Sequence, residues 1–349
     1  MKKASIITLH FYDNFGSVLQ AWALKRQIEN TPGFAAEIIP FRPPIPNYVY
    51  FRDEELQKNF YKKQTLFADF RRDYLGLKTA DGDERELGDI NSDILITGSD
   101  IVWSREHSGL HPAYFLSFGR ESARRVGYAI SQHLQGKDEA MLAKYLTKFD
   151  ALSVRENRDK KLLEKYACVP LETVLDPTLL MTAADYLPLE KKPTNAPPEP
   201  YLLFYSLTHD PAMVDAANVI AQKLQLKIVH YLADYPAQIF PPDSSCFAFV
   251  GPQEFLWLVK NAAFVFTNSY HGTIFSVLYQ RPFFTQVTRG AMSSRPLELT
   301  TALGMEAQRY SSWRNLANIN LNVDWEGVHK RLEPLRQKSK LFLQKALKD

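Results

Sequence analysis

The decapeptide TNSYHGTIFS, residues 267–276, sets Ser269 two residues before His271 on a polar turn between the apolar run AAFVF and a stretch of helical period. An imidazole titrates near neutrality, so it can give or take a proton at physiological pH, and Asn268 and Ser269 beside it can orient a bound group. A lone histidine is more often a satisfied surface or core residue, so the position needs support from elsewhere in the chain. In SVREN, Arg155 and Glu156 directly follow the apolar run ALSV. A guanidinium there could hold a phosphate or carboxylate through two parallel hydrogen bonds, or it could form an Arg–Glu pair that caps the next helix. SSRPLEL (293–299) offers Ser293, Ser294 and Arg295 ahead of a proline at a helix start. This pattern fits a phosphate site at a helix N-terminus and fits a plain N-cap equally well.

Other residues are suited to sugar hydroxyls. HFYDNFGSVLQAWAL places Asn14, Gly16 and Ser17 on a strand-to-helix turn. One glycine does not make a dinucleotide fingerprint, and no phosphate-loop lysine follows. ITGSDIVW puts Gly98, Ser99 and Asp100 after an apolar strand and Trp103 three residues on. Glycine permits close backbone approach, Ser and Asp can grip hydroxyls, and an indole can stack on a sugar face or lie in the core. In VLDPTLL, Asp176 and Pro177 read as a structural turn cap.

These residues must be held by a scaffold, and the alternation of short β-rich runs with helical-period segments supplies one: a parallel sheet with crossover helices, an α/β fold. ASIITLHF, AEIIPF, DILITGSD, RRVGYAIS, ALSVRE and ETVLD read as strands of a first domain, residues 1–187. PLEKKPTNAPPEP (188–200) carries five prolines and reads as a linker. YLLFYSL, KIVHYLA, CFAFVG, AFVFTN and PFFTQV then read as strands of a second domain, 201–324. Residues 325–349 form a basic helical segment in which Pro334 should kink the helix or divide it in two. Its lysines suit a solvated face, or an added attraction to an anionic membrane surface. Residues 43–92 read as a helical excursion or a surface insertion.

Composition excludes several classes. With 349 residues and 45% hydrophobic content the chain can build substantial cores, and its longest apolar runs are far below the roughly 20 residues of a membrane span. The N-terminus MKKASIITLHFYDNFG reads as a first strand and not as a signal peptide. Two cysteines are too few for a disulfide framework, which suits a reducing cytoplasm. The eight histidines fall at no spacing that would set two ligands on one helix face, so no metal is expected. A net charge of +3 with interleaved signs does not point to nucleic acid.

The order of these pieces resembles the polysaccharide pyruvyl transferase family. The resemblance covers roughly residues 5–310 and rests on NFGSVLQAWAL, ITGSDIVW, YFLSFGRESARRVGYAISQ, SVRE, VLDPTLL, GPQEFLWLVKNAAFVFTNSYHGTIFSVLYQRPF and SSRPLELTTALGM. Each motif is weak alone; the ordered set is specific. The resemblance implies a GT-B-like fold of two Rossmann-like domains facing across a cleft, the first on the acceptor side and the second on the donor side. It implies transfer of a pyruvyl group, as a ketal, from phosphoenolpyruvate to a hexose of a cell-surface polysaccharide or lipid-linked precursor. Phosphoenolpyruvate is then a co-substrate, with no cofactor, and the address is the cytoplasm at the inner face of the plasma membrane. Arg155 matches the family's arginine after its SVR strand, and His271 matches its histidine, the acid that would protonate the enol methylene carbon. Arg155 and Arg295 would hold the donor's phosphate and carboxylate, with Ser294, Ser269 and Asn268 beside them. Asn14, Gly16, Ser17, Gly98, Ser99, Asp100 and Trp103 would surround the acceptor. One departure is Ser269, which stands where characterised relatives often carry an arginine. A nucleotide-sugar-dependent GT-B glycosyltransferase and a non-catalytic glycan-binding protein are the alternatives on the same scaffold.

Overall fold

The computed structural model describes residues 1–44, 54–78, 82, 84–134, 136–208, 210–232, 244–246, 249–287 and 294–348. Seven strands make the first sheet: β1 (Lys2–Ile7), β2 (Phe34–Ile38), β3 (Ile94–Thr97), β4 (Asp100–Ser104), β5 (Arg124–His133), β6 (Ala151–Val154) and β7 (Leu171–Thr173). All pair in parallel in the order β2-β1-β3-β5-β6-β7, and β4 pairs with β5 beyond the point where β3 leaves it. The inner strands are buried on both faces, as helices packed on both sides of a parallel sheet require, so β3 reads as the unbroken apolar run ILIT. The second sheet contains β8 (Tyr201–Ser206), β9 (Lys227–Leu232), β10 (Ser245–Cys246), β11 (Phe264–Thr267), β12 (Phe283–Gln286) and β13 (Arg309–Tyr310). Its order is β10-β9-β8-β11-β12-β13, again all parallel. Strand order reverses between β1 and β3 in the first sheet and between β8 and β11 in the second. At such points the loops diverge and leave a crevice at the carboxyl ends of the strands.

The chain divides into two compact units: residues 1–50, 67–181 and 334–349 form one, and residues 51–66 and 182–333 the other. The boundary nearest the proline-rich stretch falls at Met181, ahead of it, and 188–200 belongs to the second unit instead of standing between two. Lys191 N–H bonds the Gln253 carbonyl and Lys260 pairs with Glu190 at 2.7 Å, which ties the start of that stretch down. The helix Glu54–Phe70 accounts for much of the 43–92 region. Its first part lies in the second unit, where Lys63 donates to the Tyr231 hydroxyl at 2.8 Å. The helix Trp325–Lys348 runs through Pro334 as one element, where sequence left open a kink or a division in two, and the division between units falls at that proline. Proline removes one helical hydrogen bond. Leu343, Ala346 and Leu347, buried beyond it, hold the helical path.

Each unit has its own core. In the first, Trp103 stacks on Phe115 at 4.9 Å and Phe115 on Tyr145 at 5.3 Å. In the second, the rings of Phe204, Phe266 and Tyr310 meet in sequence at 5.7 and 5.0 Å. The loop leaving β1 is anchored by a buried arginine that sequence inspection passes over as one of the charges of RRDYL. Arg71 donates to the carbonyls of His10 (2.7 Å), Phe11 (3.0 Å) and Tyr12 (2.8 Å) and pairs with Asp13 at 2.8 Å. This fixes the entry to the helix Phe15–Glu29. Arg71→Ala should lower unfolding free energy by about 2–4 kcal/mol, because buried carbonyls lose charged donors. A shift in urea midpoint worth less than about 0.5 kcal/mol would show that the loop is held by other contacts.

Candidate active site

In the second unit the carboxyl ends of β8 and β11 are joined by one side chain. Asn268 Oδ1 accepts from Leu207 N–H at 2.8 Å, and its Nδ2 donates to Thr208 Oγ1 at 3.0 Å. The next residue, Ser269, caps the helix Tyr270–Leu278: its Oγ accepts from Gly272 N–H at 3.2 Å, and its own N–H bonds Thr267 Oγ1 at 2.9 Å. Tyr205 also hydrogen-bonds the Ser269 side chain, and burial pushes the Tyr205 phenol far above its ordinary range. An arginine at position 269 would forfeit both the cap and the tyrosine contact. Gly272 packs the first helical turn onto the strands, since a Cβ there would lie 2.5 Å from Thr267 Oγ1 and 2.8 Å from the Tyr205 ring.

His271 is buried in the first turn of that helix, where backbone N–H groups and the positive end of the dipole favour an anion. Its ring meets Tyr270 edge-on at 5.5 Å. The guanidinium of Arg295, buried in the helix Ser294–Ala302, lies over the same tyrosine at 6.0 Å from its centroid. The structure thus brings His271, Asn268, Ser269 and Arg295 to one strand end, with Ser294 half-buried beside Arg295. Ser293 lies outside the described residues.

The first unit gathers a different set at its own strand ends. Asn14 caps the helix Phe15–Glu29 by accepting from Ser17 N–H at 3.2 Å, with Gly16 buried between them. Ser17 Oγ donates to Asp100 at 2.9 Å. Gly98 has φ 114°, and a side chain there would strike the Tyr128 carbonyl; Asp100 has φ 74°, a conformation few residues other than glycine adopt. Ser99 is wholly buried: its hydroxyl donates to Ala129 O at 3.0 Å and its N–H to Gln20 Oε1 at 3.2 Å. Ala129 stands at an irregularity in β5, with φ 50°, and its own N–H goes to Ser153 Oγ at 3.1 Å. Such irregularities re-aim a strand near its end. Nothing in RRVGYAIS announces this one.

Two residues take roles other than those the resemblance implies. Trp103 is in the core, not on a sugar face: its indole is wholly buried, stacked on Phe115, with Nε1 donating to Tyr114 O at 2.9 Å. Every residue of β4 is buried, so the strand has no outward position to offer an indole. Arg155 is enclosed by carboxylates and presents no open anion clamp. It pairs with Asp176 at 2.7 Å and Asp100 at 3.5 Å, and lies 3.8 Å from Glu156. Asp176, read from sequence as a turn cap, does cap Thr178 at 2.9 Å and is also the arginine's counter-ion. A further carboxyl group is as deeply buried as Asp176. Asp159 accepts from Gln132 Nε2 at 2.8 Å and hydrogen-bonds Glu156, whose carboxylate receives Ser131 Oγ at 2.9 Å. Burial, then the bond to Glu156 and its charge, push the Asp159 carboxyl up to about 8.

Two parallel sheets with switch points, each ending in a polar cluster, define a GT-B-like fold, and solved structures agree. UDP-GlcNAc 2-epimerase from Neisseria meningitidis, bound to UDP-GlcNAc, aligns with TM-score 0.54 at 9% identity, covering 99% of each chain. The enzyme of that name from Rickettsia bellii aligns at 0.53 and 11%, covering 98% of this chain and 96% of its own. That from Methanocaldococcus jannaschii aligns at 0.50 and 14%, covering 95% and 92%. Likeness at such identities shows the fold alone. No curated protein matches the chain. The model of the family described as polysaccharide pyruvyl transferase matches residues 14–285, and the chain belongs to that family. It is a transferase, as the ordered motifs led us to expect.

Two measurements check the local physics. Gly272→Ala should cost about 1–3 kcal/mol by overpacking, seen as a lower melting temperature; an unchanged melting temperature would mean the helix shifts freely. The folded chain keeps the Asp159 proton where the unfolded chain, with a carboxyl near 3.8, has released it. Stability should therefore fall as pH rises from about 4 to about 8. Asp159→Asn should flatten that fall in urea titrations across the range, and an unchanged slope would refute the assignment.

Proposed function

We propose that the protein transfers a pyruvyl group from phosphoenolpyruvate to a saccharide, forming a ketal and releasing inorganic phosphate. The observation that carries this reading is the meeting of His271 and Arg295 on the ring of Tyr270 at the carboxyl end of β11. Arg295 supplies from the following helix the cation that Ser269 does not, and with the helix N-terminus it suits the donor's phosphate and carboxylate. His271 gives a proton to the methylene carbon, C2 becomes oxocarbenium-like, and one acceptor hydroxyl oxygen adds there. The phosphate leaves with its bridging oxygen, a second hydroxyl closes the ketal, and the two hydroxyl protons balance those taken up by carbon and phosphate.

The acceptor's contacts come from the first unit, where Asn14, Gly16, Ser17 and Asp100 lie at strand ends and Asp100 is a carboxylate able to receive a hydroxyl proton. Arg155 acts through Asp100 and Asp176 as a positioning residue, and Gly98 and Ser99 set the backbone that carries Asp100. The acceptor is a hexose of a cell-surface polysaccharide or its lipid-linked precursor, met in the cytoplasm at the inner face of the plasma membrane. Lys338, Lys345 and Lys348, exposed on the helix Trp325–Lys348, suit an anionic surface there. Among the described residues, no helix is long and apolar enough to cross a membrane.

A thermal-shift titration tests the donor, since a ligand that binds only the folded state raises the melting temperature. Phosphoenolpyruvate should stabilise the parent and His271→Asn, and fail to stabilise Arg295→Ala. Stabilisation by uridine or guanosine diphosphate, with none by phosphoenolpyruvate, would overturn the reading in favour of a nucleotide-sugar donor.

A further inference from the structure

We propose that Glu106, His107 and His133 form a binding site for a divalent transition-metal ion, with Zn2+ the best match. Each offers a ligand atom, and the three atoms lie within 4.8 Å of one another. The juxtaposition comes from sheet register. Ser104, the last residue of β4, is the partner of His133, the last residue of β5, and the short turn Arg105–Ser108 then carries Glu106 and His107 over that strand end. No spacing rule along the sequence finds a pair made this way. The rings of His107 and His133 stand 6.3 Å apart at an interplanar angle of 72°.

Zn2+ holds nitrogen and oxygen ligands at about 2.0–2.2 Å and tetrahedrally, which sets them about 3.5 Å from one another. Closing this triangle therefore takes side-chain rotations on the order of 1 Å, which half-buried and exposed side chains can make. Two imidazoles with one carboxylate suit Zn2+ better than the hard cations, which favour oxygen alone. His107 already has an outer partner: Ser104 Oγ lies 3.1 Å from its Nδ1, the kind of hydrogen bond that fixes tautomer and ring direction in metal sites and directs Nε2 to the ion. The Tyr12 hydroxyl donates to the His107 carbonyl at 3.0 Å, and its ring packs edge-on against the imidazole, which fixes the turn from the other side. Three protein ligands leave one position for water or an oxygen ligand, the pattern of an exchangeable site. The cluster stands at the carboxyl edge of the first sheet, just past the end of the strand that begins with Asp100 and at the end of β5. This inference stands whether or not phosphoenolpyruvate is the donor.

The test is calorimetric titration of chelator-stripped full-length protein with ZnCl2, followed by the visible absorption of the Co2+ form. One saturable Zn2+ per chain is expected. His107→Gln and His133→Gln should each weaken it by more than about 100-fold, beyond the roughly 10–100-fold cost of losing only an outer-shell partner. Glu106→Gln alters an exposed side chain, so its loss of affinity is readable even if a histidine variant folds poorly. Cys168→Ser, which removes an exposed thiol, should leave binding intact. Absence of one-to-one uptake, or affinity that survives His133→Gln or Glu106→Gln in a folded chain, would overturn the site.

Discussion

A parallel sheet delivers all its strands to one edge, and there the backbone leaves the ladder with N–H and C=O groups that still need partners. In both units side chains meet that demand, and they are the side chains around which the candidate chemistry is built. Arg71 takes three successive carbonyls after β1, and Gln20 takes the N–H of Ser99 after β3. Asn268 takes the N–H of Leu207 after β8. The residues that could touch a ligand are thus also, or sit next to, the residues that finish the sheets. Altering one affects both at once.

The two edges differ in charge. Asp100, Glu156 and Asp176 surround the guanidinium of Arg155 in the first unit, an environment that favours hydroxyl donors over anions. In the second unit the helix N-terminus and Arg295 make the opposite field. The buried arginine is costly to desolvate. What repays that cost is an ion pair at 2.7 Å with Asp176, which is itself hydrogen-bonded by Thr178.

Much of this was legible in the sequence, and the reasons for the rest are physical. Apolar runs such as ILIT and FVFT announce strands buried on two faces, and TNSYHG announces its turn because the polar cap and the glycine are local requirements. Pairings between distant segments are not local. Arg155 looked like an anion clamp because its counter-ion, Asp176, stands on another strand end. Trp103 looked available because a single segment gives no sign that β4 is buried along its whole length by parts of the chain distant in sequence. Arg71 gave no signal, since three backbone carbonyls are invisible in a string of letters. Pro334 left a kink and a division both open because propensity cannot weigh the buried leucines that follow it.

That last helix also has a bearing on how the molecule comes into being. Its residues from Pro334 onward belong to the first unit: Ser339 Oγ receives Leu175 N–H, Arg336 bonds Leu179 O, and Ala346 O receives Arg124. The order of synthesis is therefore not the order of completion. The strands of the first sheet emerge from the ribosome early, yet the helix that covers them is made only after every strand of the second sheet, so the earlier half of the protein must wait, partly open, for the later half to be finished.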